Sequence, residues 1–360
     1  MTLKVGIAGG ERGKHFYEAF AQNSNVEVIS VMDPNKDVLN EFQKIYHVDY
    51  AVRDFNELLK TDIDIVVVAS PMQFHVEQAV QALEKDIHVL SEVTAAVSIE
   101  ECKKLLRAVK RSNGKYMMGE NYCYIPENIC INNMVKAGLF GEIYYGEGEY
   151  LHDVRNLHYD QNNNETWRKK MQVDKFGVTY GTHSLGPVLQ WFDEDIESVL
   201  CLGSGESRYQ GYVNDDTSTM LCKTQNGSLI RVRLDLLSSR PHHMRYYTIQ
   251  GTKGVYEAYR SDKDIHRVWL EDYSNDSEEW LSLAEFYDEF LPFDINDIPD
   301  DHHWGADFLM VQDFINSILE DKPVSIDVYR ALNITLPGIL SEESILNNGK
   351  LISMPDLNKW

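Results

Sequence analysis

Nowhere in the chain do 18 apolar residues run without interruption, so no segment is expected to cross a bilayer as a helix. Cysteine is scarce: Cys102, Cys123, Cys130, Cys201 and Cys222 are five thiols among 360 residues, an odd number with no C-x-x-C pair. That speaks against a disulfide framework and for reduced thiols in the cytoplasm. Positive charge is in deficit, with 34 Lys and Arg against 57 Asp and Glu, for a net −23. Such a surface repels nucleic acid and anionic membranes, so neither is expected as a partner. The opening Met1-Thr2-Leu3-Lys4-Val5-Gly6 runs straight into a strand, without a charged segment and a long apolar one behind it. No export signal is therefore expected. Internal repeats and low-complexity tracts are missing as well.

The chain is too long for one ordinary core, and with 43% hydrophobic residues it has material for two. Its first third alternates strand and helix. Leu3–Ala8, Val26–Val31, Ile63–Ala69, His88–Leu90 and Tyr116–Met118 read as short buried strands. A capping box, with Ser98 as N-cap and Glu101 at the third position, opens a helix that runs to about Ser112. This rhythm predicts βαβ units and a parallel sheet. From Glu142 onward the runs change character. Ile143–Leu151, Ser198–Leu202, Thr217–Thr224, Ser228–Leu236, Tyr246–Gln250 and Val255–Tyr259 read as strands of a mostly antiparallel sheet, and Asn226-Gly227 marks a hairpin. Helical spacing returns at Phe308–Leu319 and Val328–Leu346. The polar stretch Asn156 to Lys175 is long for a loop inside a compact domain, which points to a functional or mobile segment.

Between the first strand and the first helix lies Gly6-Ile7-Ala8-Gly9-Gly10-Glu11-Arg12-Gly13. Glycines at such a turn let the backbone approach a pyrophosphate, which then sits at the helix N-terminus. The strict G-x-G-x-x-G spacing is broken, since Glu11 occupies a glycine position. The second strand ends in Asp33, about 20 residues on, where a carboxylate accepts hydrogen bonds from the adenosine ribose. Its charge would repel a 2′-phosphate, which favours NAD over NADP.

The glycine loop, Asp33, Ala69-Ser70-Pro71 followed by His75, and His88-Val89-Leu90-Ser91-Glu92 resemble the Gfo/Idh/MocA oxidoreductases, and the resemblance extends through Ile326-Asp327-Val328-Tyr329 to Met354-Pro355-Asp356. It implies an α/β Rossmann domain with a parallel sheet (1–122, NAD-binding), followed by an α+β domain with a mostly antiparallel open sheet (123–360, substrate and oligomerisation). The C-terminal helices are candidates to pack back on the first domain. Two positions depart from the dehydrogenases of that family. Val93 stands in place of a catalytic Lys after Glu92, and Thr179 in place of an Asp four residues before His183. Both departures, with Glu92-Val93, Ala95-Ala96, Glu120-Asn121 and Tyr180-Gly181-Thr182-His183, resemble glycoside hydrolase family 109, whose members cleave α-N-acetylgalactosaminides with bound NAD.

Carried over by that resemblance, Gly9, Gly10, Arg12, Gly13, Asp33, Met72, Gln73, Phe74, His75, Glu92, Val93 and Asn121 would contact NAD. His183, Tyr180, Tyr150 and Glu120 would be catalytic, and Arg168 and Tyr259 would bind the sugar. Met72, Phe74, Gly181 and Ser184 differ from the pattern of that branch, which leaves the sugar open. The implied route oxidises C3 of the sugar, eliminates the C1 substituent, adds water and reduces C3 again, so a pair of glycosidase carboxylates is not required. Without an export signal, an extracellular glycan is not the expected target. The open sheet of such proteins often forms a subunit interface, which implies a homodimer or homotetramer.

The residues themselves support proton chemistry. Tyr180 and His183, three apart at the start of a helix expected over Thr182 to Phe192, share one face. A helix N-terminus disfavours imidazolium, so a neutral imidazole there can accept a hydroxyl proton. Tyr150 and Tyr180 offer phenols for proton shuttling beside a cation such as Arg168. On the strand carrying Tyr150, residues of matching parity among Glu147, His152, Asp153 and Arg155 would share its face, and Arg240 to Arg245 would line the cleft. His302-His303 beside Asp300-Asp301, and His242-His243, look like metal ligands, but adjacent histidines diverge and no metal is expected. Two other functions fit the same residues: a simple NAD-dependent sugar or polyol dehydrogenase, and a non-catalytic NAD-binding sensor.

Overall fold

The computed structural model describes every residue except 1, 242, 262, 275–277 and 300–302, and of His243 and Met244 the backbone alone. It divides into two compact units, one of residues 1–124, 298–332 and 356–360, the other of 125–297 and 333–355. The division thus falls at Tyr124/Ile125, and residues 298–332 group with the first unit.

In the first unit, β1 (Leu3–Ala8), β2 (Val26–Met32), β3 (Tyr50–Val52), β4 (Ile65–Val68), β5 (His88–Glu92) and β6 (Tyr116–Gly119) form one sheet in the order β3-β2-β1-β4-β5-β6. Every pairing is parallel. The four residues of β4 are all buried, as a central strand covered by helices on both faces requires. The strand order reverses between β1 and β4, and it is at the carboxyl ends of the strands beside such a reversal that α/β sheets take their ligands. The short edge strand β3 carries no apolar alternation and was not foreseen. The helix after β5 runs Ile99–Val109, and the Ser98 hydroxyl accepts from the Glu101 N–H as expected. The Glu101 carboxylate, however, takes the N–H of Val97, one residue before the position a capping box uses. Helix Ala306–Leu319 returns to this unit and packs on helix Gly10–Phe20, with Gln312 bonded to Asn23 and to the Ala19 carbonyl.

The second unit is built on a nine-stranded sheet. Its strands are β7 (Ile143–Leu151), β8 (Ile196–Gly203), β9 (Ser218–Thr224), β10 (Leu229–Asp235), β11 (His243–Gly251), β12 (Gly254–Glu257), β13 (Arg267–Leu270), β14 (Leu281–Ser282) and β15 (Ile352–Ser353), in the order β14-β13-β12-β11-β7-β10-β9-β8-β15. The Asn226-Gly227 hairpin joins β9 to β10 in antiparallel pairing. One pair, β7 with β10, is parallel. Alternating apolar and polar residues are compatible with either direction, so this pair was not legible from periodicity.

Helix Thr182–Phe192 lies across one face of this sheet. The contact is closest at Gly148, where an added Cβ would stand 2.0 Å from the carbonyl oxygen of Ser184. Only glycine lets the strand backbone come so near the first turn of the helix. Gly148→Ala is therefore expected to destabilise the protein by about 1–3 kcal/mol through overpacking. A fall in the urea midpoint at unchanged slope would register it, and a wild-type midpoint would refute the assignment.

Candidate functional site

In the first unit the loop after β1 meets the loop after β4. Gly9 has φ +93, and a Cβ there would lie 2.5 Å from the backbone of Ala69. The position excludes side chains twice over, by conformation and by space. The Gly10 N–H donates to Asp33 Oδ2 at 2.9 Å, and Asp33 Oδ1 accepts from Asn35 N–H at 2.8 Å. Asp33 is thereby held at the end of β2, beside the opening of the helix that contains Arg12 and Gly13. Both ring nitrogens of His75 face carbonyl oxygens, Thr94 at 2.9 Å and Ser70 at 2.8 Å. Its buried ring is thus fully engaged with the protein, and any contact from position 75 to a dinucleotide falls to the backbone around it. Burial lowers its pKa, against the pull of the two carbonyls. Met72 is buried, Phe74 is exposed, and Gln73 Oε1 is buried without a hydrogen-bond partner among the described residues.

Arg12 is the centre of a charged network. Its Nε donates to Glu92 Oε1 at 2.5 Å, and its two terminal nitrogens donate to Asp307 at 2.7 and 2.8 Å. Asp307 also accepts from Asn121 Nδ2 at 2.8 Å and His303 Nδ1 at 2.9 Å. Glu92 Oε2 takes the N–H of Val93. Burial alone would raise the pKa of Asp307, but the Arg12 charge and the hydrogen bonds from His303 and Arg12 outweigh it and hold the carboxyl well below its usual range. Glu92 is lowered by the same balance of burial against Arg12. Asp307 was not singled out from the sequence; its only signal was its place four residues after a histidine. Asn121 Oδ1 is buried and has no partner among the described residues. A glycine turn that excludes Cβ atoms, a ribose-range carboxylate and orphaned amide oxygens at Gln73 and Asn121 together fit a dinucleotide.

The second unit gathers Tyr150, Tyr180 and His183. Ring centroids are 5.3 Å apart for Tyr150–His183, 5.1 Å for Tyr180–His183 and 5.9 Å for Tyr150–Tyr180. His183 lies in the first turn of the helix Thr182–Phe192, as expected, and is only 7% exposed. Tyr247 donates to its carbonyl at 2.7 Å. The parity argument selects His152, whose Nδ1 is 2.9 Å from the Tyr150 hydroxyl. Glu147 points to the opposite face, where it pairs with Arg231, and Asp153 pairs with Arg155. Tyr259 belongs to a different group: it accepts from Arg245 at 3.0 Å, and Arg245 reaches Glu127 at 3.5 Å. Glu120 is a residue of the first unit, fully buried, and its carboxylate accepts the Tyr122 N–H. The metal readings at Asp300, Asp301, His302 and His242, and the side chain of His243, lie outside the described residues. Among the described residues, no three potential ligands cluster.

The polar stretch 156–175 is ordered around a buried lysine. Lys169 bonds to Glu165 at 2.9 Å and Asp174 at 3.1 Å. Thr179, the residue in place of an expected Asp, donates to the Gln172 carbonyl and fastens the end of the stretch. Arg168 precedes a π-helical turn, Lys169–Val173, and lies over the Trp167 ring at 4.6 Å. Beside it His158 is fully buried, with Nδ1 2.8 Å from the Tyr212 hydroxyl.

A profile of the glycosyl hydrolase 109 C-terminal domain matches residues 124–203 and 202–360, more than half of the chain. The chain belongs to glycosyl hydrolase family 109. Residues 3–120 match the oxidoreductase family with an NAD-binding Rossmann fold, so this member is an enzyme with NAD as its cofactor. A family 109 protein of Shewanella pealeana is 28% identical, over 99% of this chain and 86% of its own length. An alpha-N-acetylgalactosaminidase of Shewanella oneidensis is likewise 28% identical, over 99% and 85%. In fold, the chain is similar to a levoglucosan dehydrogenase solved with NADH and levoglucosan, with a TM-score of 0.82, 22% identity and coverage of 99% and 100%. No helix among the described residues is long and apolar enough to cross a membrane.

Burial, reinforced by the nearby charges of Arg168 and Lys169, pushes the His158 pKa down from 6.5 to about 4. The unfolded chain therefore binds a proton that the native state refuses between those two values, and stability from this residue falls as pH drops through that window. Urea midpoints at pH 7.5 and 5 should differ less in His158→Gln than in wild type. Equal pH dependence in both proteins would show that His158 is not buried as the neutral imidazole.

Proposed function

We propose that this enzyme cleaves a glycoside by oxidising and later re-reducing one carbon of the sugar, C3, with elimination and hydration at C1 between. The observation that carries the reading is the Tyr150–Tyr180–His183 cluster, with His152 on the Tyr150 hydroxyl. Bound NAD supplies reversible hydride acceptance. Gly9, Gly10, Gly13, Asp33, the segment Met72 to His75, Glu92, Val93 and Asn121 hold it, Arg12 with them.

His183 accepts the proton of the sugar hydroxyl as a general base. Its main chain is pinned by Tyr247, which fixes where the ring can stand. Tyr150 gives or takes a proton through a phenol already hydrogen-bonded to an imidazole, so the charge left by the transfer is shared with His152. Tyr180 packs edge-on against His183 and limits its rotation. Glu120 is a further catalytic carboxylate, and Arg168 and Tyr259 bind sugar hydroxyls. Buried Val93 offers no ammonium where related dehydrogenases carry one, which leaves proton transfer to these groups.

The same reading takes the substrate to be a small sugar glycoside in the cytoplasm, where the five buried thiols stay reduced. It also takes the protein to be a homodimer or homotetramer. The sheet face away from helix Thr182–Phe192, with Arg231 bridging Glu147 and Glu149, supports such an interface.

A panel of nitrophenyl glycosides, α-N-acetylgalactosaminide among them, tests the reaction. Nitrophenol release without net NADH is expected, and His183→Ala should lower it at least about a hundredfold. NADH accumulating on free sugars, with no glycoside cleaved, would make the protein a dehydrogenase instead. NAD binding with neither reaction would favour a sensor.

A further inference from the structure

The Asp307 carboxylate collects four donors from three directions: two from Arg12, one from Asn121 and one from His303. Two of those partners, Arg12 and Asn121, are residues that the proposed reading places against NAD. Glu92, a third, is joined to Asp307 through Arg12. Nothing about Asp307 itself suggests contact with a ligand, since it is 2% exposed and its oxygens are taken by the protein.

We infer that Asp307 is a positioning residue for the cofactor: it fixes Asn121 as a hydrogen-bond acceptor toward NAD and holds the Arg12 guanidinium in one orientation. The inference rests on the NAD reading of this site. An amide can be turned end for end with little change in shape, so its direction is decided by its partners. An ionised carboxylate only accepts, and the fork of Arg12 keeps Asp307 ionised. The atom of Asn121 that meets Asp307 is therefore Nδ2. Oδ1 is then the atom left over, and it is buried without a partner among the described residues. A buried carbonyl oxygen without a donor is costly, and the missing donor is an N–H or O–H of the bound group. NAD carries both, on its carboxamide and its ribose hydroxyls. Arg12 has five N–H groups, of which three are committed to Glu92 and Asp307, so two remain in a fixed plane for the same ligand.

Asp307→Asn removes the constraint. An amide at 307 can donate as well as accept, so Asn121 can turn its NH2 toward the ligand site, and Arg12 keeps Glu92 as its only carboxylate. The experiment is NAD binding to the full-length protein stripped of cofactor, followed by calorimetry, with the melting temperature of the stripped protein beside it. Asp307→Asn and Asn121→Ala should each weaken NAD binding about tenfold or more. The double variant should bind less weakly than the product of the two single losses, because both changes remove the Asn121 contact while the Arg12 orientation is lost only with Asp307. A general loosening of the fold would lower the melting temperature and make the two losses multiply.

Wild-type affinity in Asp307→Asn, or multiplying losses, overturns the positioning role while the cofactor reading stands. Failure of the wild-type protein to bind NAD overturns both. If Asp307→Asn does not fold, Asn121→Ala carries the test, since it leaves Asp307 its Arg12 and His303 partners. Unchanged NAD affinity in that variant overturns the inference as well.

Discussion

A guanidinium cannot be buried alone. Arg12 lies three residues into the first helix with its side chain only 21% exposed, and drawing that charge largely out of water is costly unless carboxylates meet it. Two do. Glu92 comes from the end of β5, and Asp307 from the first turn of a helix almost three hundred residues later in the chain. The pairing draws together the turn after β1, the end of β5, Asn121 two residues past the end of β6 and the returning segment 298–332. The glycine turn, Asn121 and the mouth of the parallel sheet all take their positions from elements that this one cluster joins.

The second unit depends on a contact of another kind. The Gly148 backbone approaches the first turn of helix Thr182–Phe192 closely enough that no side chain fits between them. That approach sets the helix N-terminus against β7 and brings His183 and Tyr180 beside Tyr150, two residues along the same strand face. Proton-transfer groups on a strand and on a helix terminus have few torsions through which to drift, which is how rigid elements keep a reactive constellation in place.

Much of this was legible in the residues. Short β-branched runs separated by amphipathic segments marked the parallel sheet, and Gly9 with Asp33 marked the carboxyl ends of its strands, because each reports a local requirement: burial on two faces, a turn, a strand end. Spacing likewise kept Tyr180, just before the helix, beside His183 in its first turn, and parity placed His152 with Tyr150 and Glu147 on the other face. The parallel pairing of β7 with β10 was not legible, since alternation carries no direction. The edge strand β3 has too few residues to show a period. Glu101 met Val97 instead of Ser98 because a flexible side chain can serve either neighbouring N–H.

The sequence by itself determined the fold class, the family, the dinucleotide turn and the chemical types of the candidate site. These are local patterns, and local sterics and burial are enough to write them. Only the tertiary structure decided what the charged groups do. Arg12 turned out to be divided between two carboxylates, His75 to be enclosed by carbonyls, Tyr259 to belong with Arg245 and Glu127, and Asp307 to be the acid on which Asn121 is oriented. Charges act through space in a low-dielectric interior, so their partners are fixed by the folded distance and not by separation along the chain.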